Sequence, residues 1–345
     1  MTPTEEPFFR RVGADGPLVP DGGGQCLHVT ASGWALLRSQ ASNLYVTPTY
    51  GVRFFLRSPT GVLESVAALG RGDFSFRGAV SEDGATVVLN GPGGAHLYQR
   101  QAGGFQHRSI GSVPALESWV ALREGGVAFP VLNGLSLDYD LKRDALTRLP
   151  RARFETLYPE RPLGVSTNGR WSIWNASGGF LCIDLTNGQT YEWKTGSPSS
   201  YPGNGGVASE GQTIWIFIPA TETTTARFVR HDFSKETTEA FPAPGVADAT
   251  PTAVAGPKVF FYSSTPIVGD DKNSSPDLYA FDHVSGEIEL ISRGNGSGLA
   301  SGGVTSAKVS PKGDRVYFTS AEAGMEDRFV PHPEGDLYVR DLPGG

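Results

Sequence analysis

Seven glycines punctuate this chain at nearly regular intervals. Gly33, Gly84, Gly125, Gly169, Gly211, Gly256 and Gly313 recur at roughly 41 to 57 residues, which is the blade period of a β-propeller. Each marks one copy of a unit. An apolar strand leads into a glycine hairpin and a second apolar strand. A loop, an aromatic third strand ending at Asp-x-x-x-Gly and a fourth strand follow. The hairpin is clearest in Ala79-Val-Ser-Glu-Asp-Gly84, Gly164-Val-Ser-Thr-Asn-Gly169 and Lys308-Val-Ser-Pro-Lys-Gly313. A serine followed by Asp-Gly or Asn-Gly suits the left-handed turn of a two-residue hairpin. The alternation in Thr86-Val-Val-Leu89, Trp171-Ser-Ile-Trp174 and Arg315-Val-Tyr-Phe-Thr319 suits the strand that follows. The third strand repeats as Asp277-Leu-Tyr-Ala-Phe-Asp282 and Asp336-Leu-Tyr-Val-Arg-Asp341. The fold read from this pattern is all-β: a seven-bladed β-propeller of four-stranded antiparallel blades, forming a single domain over residues 1–345.

The ends of the sequence suggest how the ring closes. The last unit stops after its third strand, whereas the chain opens with Pro7-Phe-Phe-Arg-Arg-Val-Gly13, which resembles the fourth strand Glu287-Ile-Glu-Leu-Ile-Ser-Arg-Gly294. Residues 7–12 are therefore expected as the outer strand of blade seven, which leaves no unpaired edge there. The blades are expected at about 24–70, 71–112, 113–154, 158–198, 201–245, 247–298 and 299–345.

Composition narrows the function classes. With 45 Gly, 39% hydrophobic and 10% aromatic residues, the chain reads as many short strands joined by tight turns, and disorder is excluded. A net charge of −7 argues against nucleic acid, which is held mainly through clustered Lys and Arg. No apolar run approaches the ~20 residues of a membrane span. Cys26 and Cys182 fall half a ring apart, so no disulfide is expected. The N-terminus has neither a basic n-region nor an apolar h-region. That fits a cytoplasmic chain, or a secreted or periplasmic one whose leader was removed.

The repeats resemble those of TolB-like propellers, bacterial relatives of the WD-repeat class. The likeness is carried by Ser310-Pro-Lys-Gly-Asp-Arg-Val-Tyr-Phe318, by Asp336-Leu-Tyr-Val-Arg-Asp341, and by Val268-Gly-Asp-Asp-Lys-Asn273 ahead of Asp277-Leu-Tyr. The resemblance implies the propeller fold and use as a protein-binding platform or, in fewer cases, as an enzyme; the ring itself is expected to be monomeric.

Function in such a scaffold is expected in the loops that packing leaves free. The second-to-third-strand loops are long at 39–50, 263–276 and 320–335, in blades one, six and seven, and these blades are neighbours in a closed ring. Tyr45, Tyr50, Met325, Phe329 and His332 offer aromatic and Met anchors among acids, the makings of an interface for a protein or peptide partner. Asp270, Asp271, Asn273 and Asp277 form an oxygen-rich stretch resembling the start of a calcium loop, so Ca²⁺ is the one cofactor considered. Pro276 stands where an EF-hand needs Gly.

Other chemistry finds less support. His28 falls on an innermost strand, and no second histidine follows at metal-ligand spacing. His231-Asp232 belongs to the third-strand hairpin, like Asp140, Asp184, Asp282 and Asp341. There is no Gly-x-Ser-x-Gly elbow. Trp34, Trp171 and Trp215 are expected in the core between sheets. The reading is a binding or scaffold module with a loop-rich face. The alternative is a lyase or hydrolase acting on a glycan or small molecule at the channel mouth, with catalytic residues unassigned.

Overall fold

A computed structural model describes residues 10–11, 24–41, 51–69, 76–91, 93–113, 119–131, 136–149, 157, 159–166, 168–195, 208–269, 271, 274–292, 303–320 and 336–342. Among these residues every strand belongs to one of seven four-stranded sheets, the blades of a β-propeller. The N-terminal strand is β1 (Arg10–Arg11). Blade one holds β2 (Gly24–Val29), β3 (Ala35–Ala41), β4 (Gly51–Arg57) and β5 (Leu63–Leu69). Blade two holds β6 (Arg77–Val80), β7 (Thr86–Gly91), β8 (Gly94–Gln101) and β9 (Gly104–Gly111). Blade three holds β10 (Ala121–Arg123), β11 (Gly126–Pro130), β12 (Ser136–Asp140) and β13 (Ala145–Arg148). Blade four holds β14 (Pro159–Val165), β15 (Trp171–Ala176), β16 (Gly179–Asp184) and β17 (Thr190–Lys194). Blade five holds β18 (Ala208–Glu210), β19 (Thr213–Ile218), β20 (Arg227–Asp232) and β21 (Thr237–Pro242). Blade six holds β22 (Thr250–Ala255), β23 (Lys258–Ser263), β24 (Asp277–Asp282) and β25 (Ile288–Leu290). Blade seven holds β26 (Val304–Val309), β27 (Arg315–Ser320) and β28 (Asp336–Asp341), with β1 as its outer strand.

The N-terminal strand thus completes the last blade, but with a correction to its direction. Arg10 pairs with Tyr338 and Arg11 with Val339 in parallel, so this edge is the exception in an otherwise antiparallel set of sheets. Residues 7–9 and 12 of the expected strand lie outside the described residues.

Contacts divide the chain into two compact units. One comprises Met1–Gly72, Pro219–Ala226 and Ala243–Gly345, and so carries blades six, seven and one. The other comprises Asp73–Ile218 and Arg227–Pro242, and carries blades two to five. In the first unit, the alternate faces of neighbouring blades bury one another. Phe260, Leu278 and Ala280 of blade six pack with Val316, Phe318 and Tyr338 of blade seven. Tyr317, Leu337 and Val339 of blade seven meet Cys26, Val29 and Leu37 of blade one. In the second unit, Val88 and Leu97 meet Val127, Phe129 and Tyr139, and Trp171, Ile173 and Cys182 meet Ile214, Ile216 and Val229. Fully buried aromatic and β-branched residues on both faces of a strand are what stacked sheets require. Trp171 and Trp215 are among them, as the sequence suggested, and so is Trp174, while Trp34 is only half-buried. Both cysteines are free and buried, and burial pushes the Cys26 thiol up to about 12.

The repeated hairpins hold a second correction. In Ser81-Glu-Asp-Gly84 the Gly84 amide donates to the Ser81 carbonyl (2.9 Å), and Ser81 Oγ accepts the Thr86 amide (2.9 Å). Gly84 alone is left-handed, at φ 69°. The turn is thus a wide one stapled by its serine, closed between Ser81 and Thr86 with four residues between them, and not the two-residue hairpin. Ser166 and Ser310 repeat the arrangement onto Trp171 and Arg315. The third-strand aspartates are turn residues, as expected: Asp140, Asp184, Asp232 and Asp282 each accept backbone amides two or three residues on. Where Gly188 and Gly286 close two of these turns, Asp144 and Glu236 close the others at φ 54°, a conformation that side chains rarely adopt.

Candidate functional site

In the first unit the register of the sheets fixes which loops share a face. Antiparallel pairing sets Gly24 opposite Ser39, Thr250 opposite Tyr262, and Val304 opposite Ser320. The start of each innermost strand therefore lies at the end of the second strand, where the link to the third strand departs. Two bonds between blades join these ends into one rim. The Val304 amide donates to the Pro276 carbonyl (2.6 Å), and Thr319 Oγ1 donates to the Gly24 carbonyl (2.8 Å). The links spanning 264–276, 321–335 and 42–50 leave from this rim. In blades two and four the corresponding links are only 92–93 and 177–178.

At the rim runs a band of polar side chains, most of them buried. Asp277, fully buried, accepts a hydrogen bond from Ser292 Oγ (2.6 Å), which in turn accepts the Leu278 amide (3.0 Å). Asp271, also buried, accepts the Tyr279 hydroxyl, whose pKa is raised by burial and then by that carboxylate. Asp248, itself exposed at the edge of this band, accepts Ser263 Oγ and the Ser264 amide, each at 2.9 Å. Burial works against its charge, but hydrogen bonds from Thr265, Ser264 and Ser263 prevail and hold it below the usual carboxylate range. Ser306 Oγ donates to Thr319 Oγ1 (3.0 Å). A buried carboxylate is tolerated only when its oxygens are bonded in this way, and charge-assisted bonds are the strong ones. The band therefore fixes the strand ends from which the long links depart.

Of the residues singled out in the sequence, Tyr45, Tyr50, Met325, Phe329 and His332 lie outside the described residues, as do Asp270 and Asn273. Asp271 and Asp277 are described. Their carboxylates bond Tyr279 and Ser292, so both brace the rim from inside. Among the described residues no three His, Cys, Asp or Glu side chains converge as a metal cluster.

The structure also brings together residues that sequence spacing did not. His96 Nδ1 and His107 Nε2 lie 3.0 Å apart on β8 and β9 of blade two, and Tyr98 sits against His107 with ring centroids 5.0 Å apart. The signal was present in the hairpin: with Gln101 paired to Gly104, counting back from the turn sets Tyr98 opposite His107 and His96 one diagonal away. His231 is buried, stacked on Trp193 at 4.4 Å and 3°, and bonded through Nδ1 to Thr238 Oγ1 (2.9 Å). Two further contacts involve cations. Arg57 is buried and donates to the Tyr317 hydroxyl (3.2 Å), and Arg77 lies over the Trp119 ring at 4.7 Å.

No family model matches the chain, and no curated protein matches it. Solved structures similar to it include TolB and other β-propellers. One chain from a structure titled "Crystal Structure of Mitotic Checkpoint Complex" aligns over 96% of this chain and 99% of its own, at 9% identity and a TM-score of 0.54. TolB from Acinetobacter baumannii aligns over 89% of this chain and 82% of its own, at 13% identity and a TM-score of 0.42. The β-propeller domain of the trilobed protease from Pyrococcus furiosus aligns over 88% and 80%, at 11% identity and a TM-score of 0.40. At 9% identity the first of these likenesses speaks to the fold alone. Among the described residues no helix is long and apolar enough to cross a membrane.

Proposed function

We propose that the protein is a scaffold module that presents the rim of blades six, seven and one to a protein or peptide partner. The observation that carries this reading is the pairing of length with bracing. The links spanning 264–276, 321–335 and 42–50 leave from strand ends held by Asp248, Asp277 and Thr319. Binding loops on a rigid base lose less freedom on docking, so more of their contact energy appears as affinity. The anchors expected from the sequence, Tyr45, Tyr50, Met325, Phe329 and His332, belong to two of those links. The similar chain from the mitotic checkpoint complex is part of a protein assembly, and a scaffold role extends that use to this chain.

The test is selection of displayed peptides on the immobilised protein, with two loop variants for comparison. Replacing 321–335 by a tight turn is expected to leave the melting curve near wild type and to abolish binding of the selected peptides. Shortening 132–135 of blade three is expected to leave binding intact. Peptides that bind the first variant undiminished, or lose affinity only for the second, would place the docking surface elsewhere.

A further inference from the structure

We infer that His96 and His107 form a two-imidazole chelate on blade two that takes a divalent transition-metal ion of the copper or nickel class. The geometry points to it in three ways. First, the facing nitrogens, His96 Nδ1 and His107 Nε2, share a hydrogen bond at 3.0 Å, and an incoming ion would take the place of its proton with small ring rotations. With metal–imidazole bonds of about 2.0–2.1 Å, two cis donors at a right angle are about 2.8–3.0 Å apart, and tetrahedral donors about 3.3–3.4 Å. The observed separation is the bite of a square or tetragonal site, the preference of Cu²⁺ and Ni²⁺, and imidazole suits both ions.

Second, the pair is preorganised by backbone. Both residues sit on paired strands, with Tyr98 opposite His107 and His96 opposite Ser109. The register shifts between Ala95 and His96, a β-bulge immediately beside one donor. The pair itself lies in the regular register on the turn side of that bulge, as a diagonal contact within reach of two imidazoles. The rings are tilted by 37° with centroids 5.1 Å apart, and Tyr98 supports the His107 ring from the side. Third, an ion can reach the pair from solvent, because His107 is exposed and His96 half-buried. Two nitrogens come from the protein, and water would complete the coordination.

This site is separate from the rim of the proposed scaffold and does not depend on it. The test is titration of the full chain with Cu²⁺, followed by calorimetry and electron paramagnetic resonance, with Ni²⁺ and Zn²⁺ for ranking. One saturable Cu²⁺ per chain is expected, with nitrogen hyperfine structure from two imidazoles. Affinity should fall in the order Cu²⁺, Ni²⁺, Zn²⁺. His96→Asn and His107→Gln should each weaken Cu²⁺ binding at least tenfold while keeping the wild-type circular dichroism, and His283→Ala should leave it unchanged. Because His107 is exposed, its variant keeps the test open even if His96→Asn fails to fold. Wild-type affinity in His107→Gln, or a spectrum with a single imidazole nitrogen, would overturn the inference.

Discussion

The two units of this molecule solve the same packing problem and then spend their connections differently. In blades two and four the second strand turns straight into the third through residues 92–93 and 177–178. Glycine makes this possible. A Cβ on Gly94 would stand 2.3 Å from the Gly111 carbonyl oxygen, and one on Gly179 2.1 Å from that of Trp193. Backbone thus packs against backbone, leaving no side chain to offer a partner. In blades six, seven and one the same corner carries long links, and the strand ends are held by carboxylate and hydroxyl bonds instead. The contrast teaches that one repeat can be closed at a corner by steric fit or held open there by buried polar bonds. Only the second leaves the link free to vary.

The largest effect that would sharpen this contrast is expected at the closed corners. Gly94 sits at φ 109° with no room for a side chain, so Gly94→Ala combines strain with a clash against backbone that cannot swing away. It should cost about 3 kcal/mol or more, a drop in melting temperature of roughly 5–10 °C. Gly245→Ala, at φ 86° but in open space, should cost only about 1 kcal/mol. Equal melting curves for the two variants would break the steric account of the short corners.

A middle-sized effect is expected at the outer edge of blade seven. Removing residues 1–13 deletes the strand whose described part pairs with Tyr338 and Val339. The uncovered edge of β28 should then seek another partner. We expect a melting temperature lower by a few degrees, with about 1–2 kcal/mol lost for so short a pairing, and a rise of dimers in light scattering. A truncated chain that stays monodisperse and melts with the wild type would show that this strand seals nothing.

How much of this was legible in the sequence depended on whether the signal was local. The serine and glycine of Ser81-Glu-Asp-Gly84 bond only within their own turn, so the hairpins and the blades they delimit could be read directly. Their turn class could not, because it is set by Ser81 Oγ reaching the Thr86 amide, a bond that the same letters permit but do not demand. The N-terminal strand was placed correctly at the edge of the last blade, but not its direction. An alternation with period two reads the same both ways along a strand. The roles of Asp271 and Asp277 escaped for a related reason. An acid in a loop-like stretch reads as solvated, and only the fold reveals that Tyr279 and Ser292 bond it from inside. His96 and His107 needed the register of their hairpin, which follows only once the Gln101–Gly104 turn is fixed.

The smallest effect separates the units by proton. His231 of blade five is stacked flat on Trp193 and bonded to Thr238, and burial lowers its pKa, with Asp232 opposing in part. The sign follows from linkage. The unfolded chain takes up a proton near the ordinary histidine value of about 6.5, while the folded chain resists it, so the unfolded state binds more protons below that pH. Stability should therefore be full above about pH 6.5 and fall as acid carries the solution down toward the lowered folded value. The rim of the first unit should not feel this window, because Asp248 is held below the usual carboxylate range and stays charged. Between pH 7.5 and 5.5, after correction for the intrinsic chemical rate, hydrogen exchange should speed up in β17, β20 and β21. It should stay unchanged around Asp277. His231→Phe keeps a ring against Trp193 but has nothing to protonate. It should flatten the pH dependence of the melting temperature by on the order of 1 °C, even if the lost Thr238 bond lowers the whole curve. Parallel curves for wild type and variant across that window would mean that His231 is not the group that acid reaches first.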